Sequence, residues 1–241
     1  MSQARHRSAF SVMGTTASVH VDDDVTAADF DAVICSVRME MERLEAVFSV
    51  YRSDSEISRI NAGSLHHLDA SAEVIEVLDA CAWLEQASGG AFSIRRNRDS
   101  RDINPSGFVK GWAAERASRM LEDAGLVHWY LGVGGDFVVH GGMSDGRPWR
   151  IGIIDPRDPD MLVGTVEVVN GAVATSGTSE RGAHIWDPRT GEPATHFLSV
   201  TVTGPSLTWA DAYATTVFVM GEAGLEWLNQ FEGYSVLPVR R

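Results

Sequence analysis

Cysteine is almost missing from this chain: Cys35 and Cys81 are the only two in 241 residues. No disulfide framework can staple the fold, so a packed apolar core must hold it, and the length and 44% apolar content suffice for one. Both cysteines fall in segments with amphipathic helical spacing, which predicts two buried thiols in a reducing compartment. No apolar run reaches the length of a bilayer span, and "MSQARHRSAFSVMGTTASV" has no leader-like apolar stretch, so no membrane insertion and a cytoplasmic location are expected. Positive charge is scarce as well. Twenty Lys and Arg against 33 Asp and Glu leave a net charge of -13, which repels phosphate backbones and argues against nucleic-acid binding. An anionic ligand would need local help from a metal ion or a few placed cations. Repeats, low-complexity tracts and linkers are also lacking, so residues 1–241 read as a single domain.

Among the patterns present, apolar residues Phe30, Ile34, Val37, Met41, Leu44 and Phe48 recur at steps of three and four, which predicts an amphipathic helix from Ala27. Asp22 to Asp24 just upstream would place negative charge at its N-terminus. A second helix is predicted from a Ser71 cap to a stop at Gly89-Gly90, and a third follows "GFVKG" as "WAAERASRMLEDAG". After Gly125 come short Val, Ile, Thr and aromatic runs separated by Gly, Asn, Asp and Pro, the pattern of antiparallel strands joined by hairpins. Helical spacing returns at "TWADAYATTVFVMG" and "EAGLEWLNQ", followed by a strand-like "YSVLPVRR". This order predicts an α+β fold with a largely antiparallel sheet and packed helices, not alternating βαβ units.

Several constellations could carry chemistry. "LGVGGDF" lacks the third glycine of a dinucleotide-binding loop and is followed by no helix, so its glycines read as a tight turn or a close backbone approach. Asp211 and Thr215 stand four apart on a predicted helix and could offer two oxygens to a hard cation such as Mg²⁺. Equally, Asp211 could complement the helix dipole while Thr215 bonds back to a carbonyl. His184 reads either as a strand-end histidine satisfied by backbone groups or as a general base. "SIRRNRDSRDINPSG" is the most polar and basic segment, either solvated or facing a ligand.

Seven blocks in order resemble the FAD:protein FMN transferase family, the ApbE-type flavin transferases: "MGTTASV", "FSVYRSDSEISRIN", "SGGAF", "PSGFVKGWAAERA", "VGGDF", "TSGTSERGAHIWDPRTGEP" and "SVTVTGPSLTWADAYATTVFVMG". The resemblance implies two intimate subdomains around an FAD cleft, with Mg²⁺ beside the pyrophosphate. It also implies transfer of the FMN half of FAD to a Thr or Ser hydroxyl of a target flavoprotein, with release of AMP. An FAD pyrophosphatase using water instead, or a non-catalytic flavin-binding protein, would use the same site. Carried over by motif, Met13, Tyr51, Ala91, Phe92 and Ser93 would line the flavin, and Asn104 and Lys110 would lie along FAD. Gly107, Asp211 and Thr215 would bind Mg²⁺, and His184 would be the base. This sequence departs from the usual family pattern in having Ser93 and Asn104 where aspartates are expected, Glu115 for an aspartate, and a shorter segment between "GGAF" and "SGFVKG". Asn carries no charge and donates as well as accepts, so the hydrogen-bond pattern toward FAD would differ.

Overall fold

The computed structural model describes residues 6–97, 99–177 and 185–241. Two strands that helical and strand periodicity did not reveal open it: β1 (His6–Val12) and β2 (Thr15–Val21), paired antiparallel. Their two-residue connection, Met13-Gly14, has φ of 52° and 69°. Left-handed geometry at both positions is that of the turn whose twist suits a hairpin. The chain then forms α1 (Ala27–Phe48), α2 (Glu56–Asn61), α3 (Ala72–Ala87) and α4 (Ser106–Asp123).

All six apolar positions expected on α1 are buried, joined by Val33. Its cap is Thr26, whose hydroxyl oxygen accepts from Asp29 N at 3.1 Å. The upstream acids act elsewhere: Asp23 accepts from His128 N at 2.7 Å and from Val127 N, and Asp22 accepts from Ser144 N at 3.0 Å. They therefore tie α1's approach to the strand region, and the expected dipole role passes to Asp29. Ser71 caps α3 as predicted, and Gly90 N closes the far end on Glu85 O at 2.8 Å with Gly89 and Gly90 both at positive φ. α4 starts earlier than its apolar spacing suggested. "GFVKG" lies inside its first turns, not before it. The two thiols also divide: Cys81 is buried but Cys35 is exposed, its Sγ donating to Met39 Sδ at 3.8 Å.

The strand region follows as predicted, with two short strands added: β3 (Trp129–Val133), β4 (Asp136–His140), β5 (Trp149–Asp155), β6 (Asp158–Val168), β7 (Gly171–Gly177), β8 (Trp186–Asp187), β9 (Glu192–Pro193) and β10 (Phe197–Gly204), of which no run signalled β8 and β9. Then come α5 (Leu207–Met220), α6 (Glu222–Leu228) and β11 (Ser235–Arg240). Seven strands form one sheet in the order β1-β2-β3-β4-β7-β10-β11, every neighbouring pair antiparallel. Pro238 sits on the edge strand β11, where a missing N–H costs no ladder bond to a further neighbour.

Side-chain alternation divides the sheet's two faces. Val19, Leu131, Val138, Ala172, Ala174, Val200 and Val202 join the main core with the helices. Tyr130, Phe137, Val139 and Val173 point the other way and join Trp149 and Ile151 of the β5–β6 hairpin in a smaller cluster. α5 packs between α4 and strands β7 and β10. Eleven of its residues are buried, which is why its composition is nearly apolar all round. Among the described residues no helix is long and apolar enough to cross a membrane.

Candidate functional site

Strand alternation also places the site. On β4, Val138 faces the helices, so Asp136 two residues earlier does too; on β7, Ala172 and Ala174 do, so Ser176 follows. Gly134 and Gly135, with φ of 57° and 87°, make the β3–β4 turn that delivers Asp136 to this edge. This is the tight turn expected of "LGVGGDF". Gly132 is needed for a different reason: a Cβ there would stand 2.6 Å from the Phe137 ring directly across the ladder. Gly134 N bonds Thr16 O at 3.1 Å, which brings the Met13-Gly14 turn to the same end of the sheet.

Lys110, in the early turns of α4, points into this corner. Its Nζ donates to Asp136 Oδ2 and stands 3.6 Å from Asp211 Oδ1 on α5. Both carboxylates are buried, Asp136 at 1% and Asp211 at 4% exposure. Asp136 Oδ1 accepts from Thr175 N at 2.8 Å, and Asp211 Oδ2 accepts from Gly111 N at 3.1 Å. Burial pushes the Asp211 carboxyl up to about 7, with the Lys110 ammonium opposing and the Asp136 carboxylate adding to the rise. For Lys110, burial works against the charge but the two carboxylates outweigh it, so its pKa is raised. The corner thus gathers two acids around one ammonium.

The two α5 residues make contacts other than those of a helix-end acid and a back-bonding threonine. Asp211 is not a first-turn acid, because α5 begins at Leu207 behind the Ser206 cap. Thr215 Oγ1 hydrogen-bonds Ser176 Oγ at 2.9 Å across to β7, while it is Thr216 that bonds back, to Ala212 O at 2.7 Å. The work at α5's N-terminus falls to Glu115 of α4. Its Oε2 accepts from Ser206 Oγ at 2.7 Å, Thr208 N at 2.8 Å and Thr208 Oγ1 at 2.6 Å. Gly111 allows the helices to approach this closely, since a Cβ there would lie 2.8 Å from Leu207 O and 2.9 Å from Asp211 Cβ.

The remaining predicted positions fall in several places. Gly107 is exposed in α4's first turn, and a Cβ on it would stand 3.8 Å from Phe92. Ala91 and Phe92 are buried and pack in the main core. Ser93 Oγ accepts from Arg95 N at 3.1 Å, and Asn104 Oδ1 accepts from Ser106 N at 3.1 Å and Ser106 Oγ at 2.5 Å, ordering the turn into α4. Met13 helps line a cleft of about 420 Å³ with Glu45, and Ser93 lines one of about 280 Å³ with Arg95, Asn97 and Arg189. Tyr51, between α1 and α2, is 95% exposed and not brought against the others. His184 lies outside the described residues. Asp136 and Glu115 are site residues that spacing alone does not mark; the acid ending "VGGD" is the one sequence signal for Asp136.

A cation could be held here only by mixed oxygens. Among the described residues there is no cluster of three or more His, Cys, Asp or Glu side chains. The Asp211 carboxylate, the Thr215 hydroxyl and the Gly107 carbonyl are hard donors suited to Mg²⁺, which takes few protein ligands and completes its shell with water and phosphate.

Comparison with known proteins accords with this architecture. The model of the ApbE family matches residues 13–98 and 93–237, and the chain belongs to that family. The FAD:protein FMN transferase of Klebsiella pneumoniae (strain 342) is 34% identical over 147 residues, 57% of this chain and 42% of that protein. That of Vibrio cholerae is 27% identical over 266 residues, covering 87% of this chain and 80% of the relative. The match thus spans about two fifths of the first of these relatives and most of the second. In fold, the flavin transferase ApbE from Vibrio cholerae superposes with a TM-score of 0.83 at 24% identity over 98% of this chain and 97% of that one. The ApbE protein of Thermotoga maritima gives 0.84 at 24% identity over 98% and 94%.

Proposed function

We propose that the protein transfers the FMN moiety of FAD to a Thr or Ser hydroxyl of a target flavoprotein, releasing AMP, with Mg²⁺ bound by Asp211, Thr215 and the Gly107 carbonyl. The observation that carries this reading is the buried Asp136–Lys110–Asp211 corner, which gathers a cation and two acids beside the exposed first turn of α4. The names of the relatives, FAD:protein FMN transferase, support the reaction class.

When bound, Mg²⁺ would neutralise phosphate charge at the anhydride, the dominant need in such transfers. Lys110 would hold its ammonium toward the same phosphates, oriented by Asp136. Asn104 and Ser93 would meet FAD with neutral hydrogen-bonding groups. The acceptor hydroxyl oxygen forms a bond to the phosphorus of the FMN half. The bond from that phosphorus to the bridging oxygen breaks, and AMP leaves with the electron pair. The hydroxyl proton goes to His184, our candidate base; such a base contributes about 10²- to 10⁴-fold. We place this activity in the cytoplasm, supported by two free thiols of which Cys35 is exposed.

Incubation with FAD and Mg²⁺, with and without a threonine peptide, tests the reading. Peptide-linked flavin fluorescence is the expected result. Free FMN and AMP alone would make the protein a pyrophosphatase, and retained intact FAD a flavin carrier.

A further inference from the structure

In a chain with 33 acidic residues, most described arginines stand within reach of a carboxylate: Arg43 with Glu40 and Glu73, Arg52 with Asp54, Arg116 with Glu73, Arg189 with Asp187, Arg240 with Glu222. The segment 95–101 is an exception. It holds four arginines and one aspartate. Arg95, Arg96 and Arg101 are exposed, and none is within 4 Å of a carboxylate among the described residues. The fourth, Arg98, lies outside those residues. The other arginines without such a partner, Arg7, Arg59, Arg119 and Arg241, are scattered singly along the chain. Cations kept apart from so many acids are available to an anion from outside.

The strip is held in place next to the candidate site. Asn104 N closes it on Ile94 O at 2.6 Å, and Asn61 grips Ile103 on both sides, donating to its carbonyl and accepting from its N–H at 2.9 Å each. Within it, Asn97 Oδ1 accepts from Ser100 N at 2.9 Å and Asp99 N at 3.1 Å. The Arg96 guanidinium lies 4.5 Å over the Trp186 ring, two residues after His184. Stacking uses the planar face and leaves the N–H edge for a carboxylate. The loop therefore needs little ordering on binding.

The geometry points to this arginine strip as the docking surface for an acidic segment flanking the acceptor hydroxyl of the target protein. The inference rests on the transferase reading for the partner's role. Exposed cations spread along a loop fit a row of carboxylates, whereas a single pyrophosphate would be gripped by groups that converge, as at Lys110. Since the rest of the chain is acidic, the strip would also select the orientation in which such a partner approaches.

Two fluorescein-labelled peptides test it, one with a threonine flanked by aspartates and its counterpart with asparagines. Binding is read by anisotropy, independently of turnover. The unmodified protein is expected to prefer the aspartate peptide about three- to tenfold, with the preference fading as salt rises. Arg96→Gln with Arg101→Gln should abolish the preference and leave FAD affinity unchanged. No preference in the unmodified protein, or a preference insensitive to both salt and substitution, overturns the proposal. A fall in FAD affinity with the peptide preference intact assigns the strip to the flavin phosphates and overturns it too. Failure of the transferase reading would show separately, as absence of covalent FMN on either peptide.

Discussion

Lys110 donates to Asp136 of β4 and stands 3.6 Å from Asp211 of α5, so one ammonium serves two buried carboxylates from different elements. Removing one partner of a buried ion pair strands the charge it faced and typically costs about 3–5 kcal/mol. Lys110→Met should therefore lower the unfolding free energy by about that amount. Mg²⁺ should restore part of the loss, because the buried Asp211 carboxylate then gains a divalent partner in the native state only. Thermal melts of the variant with and without Mg²⁺ check this; a melting point indifferent to Mg²⁺ would count against the assigned cation site.

Glu115 reaches α5 by three hydrogen bonds, to Ser206 Oγ, Thr208 N and Thr208 Oγ1. Bonds to a charged acceptor are stronger than neutral ones, so Glu115→Ala should destabilise by about 2–4 kcal/mol and Glu115→Gln by less, since an amide oxygen still accepts. Because α5 carries Asp211 and Thr215, Mg²⁺ affinity should fall in the alanine variant and recover in glutamine. Denaturant titration and Mg²⁺ titration of the same samples separate the two effects.

Gly111→Ala places a Cβ against Leu207 O and Asp211 Cβ. The helices must separate, at a cost of about 1–3 kcal/mol for overpacking. The prediction is a stability loss accompanied by weaker Mg²⁺ binding. The same change at Gly125, where a Cβ meets nothing within 4 Å but φ is +77°, should cost stability alone.

Arg43 and Arg116 hold Glu40 and Glu73 in a network joining α1, α3 and α4. Hydrogen bonding from Arg43 is the main cause that lowers both carboxyls below their ordinary 4.5, burial opposing. A carboxylate lowered on folding contributes stability that is present above its unfolded value and lost as pH falls through the folded one. The network should thus weaken on acidification below about 4.5, by about 1 kcal/mol or less per pair after solvent screening. Glu73→Gln should flatten that part of the melting-temperature profile. A profile unchanged by the substitution would remove the network from the account.

What could be read in advance followed local rules. α1 and α3 announced themselves by period and cap, and the strands from Trp129 by their turns. β1 and β2 escaped because "HRSAFSV" alternates small polar and apolar residues too weakly to signal a buried face, and their pairing with β3 is made far along the chain. α4's start was hidden by the glycines of "GFVKG", which weaken helical propensity but are required where Gly111 meets α5. The spacing of Asp211 and Thr215 placed both on one helix face and left their role open. Asp136 was not legible, because its partner Lys110 lies 26 residues away and only the fold brings them together. The arginine strip was visible as composition, yet its lack of carboxylate partners needed coordinates.

We propose that this chain moves FMN from FAD onto a hydroxyl with His184 as base. Mass spectrometry of a threonine-bearing target peptide after incubation with FAD and Mg²⁺ measures it directly, for the unmodified protein and for His184→Ala. The account predicts a peptide gaining one FMN with the unmodified protein, and FAD binding without that adduct in the variant. Equal modification by both proteins, or none by the unmodified one, would contradict it.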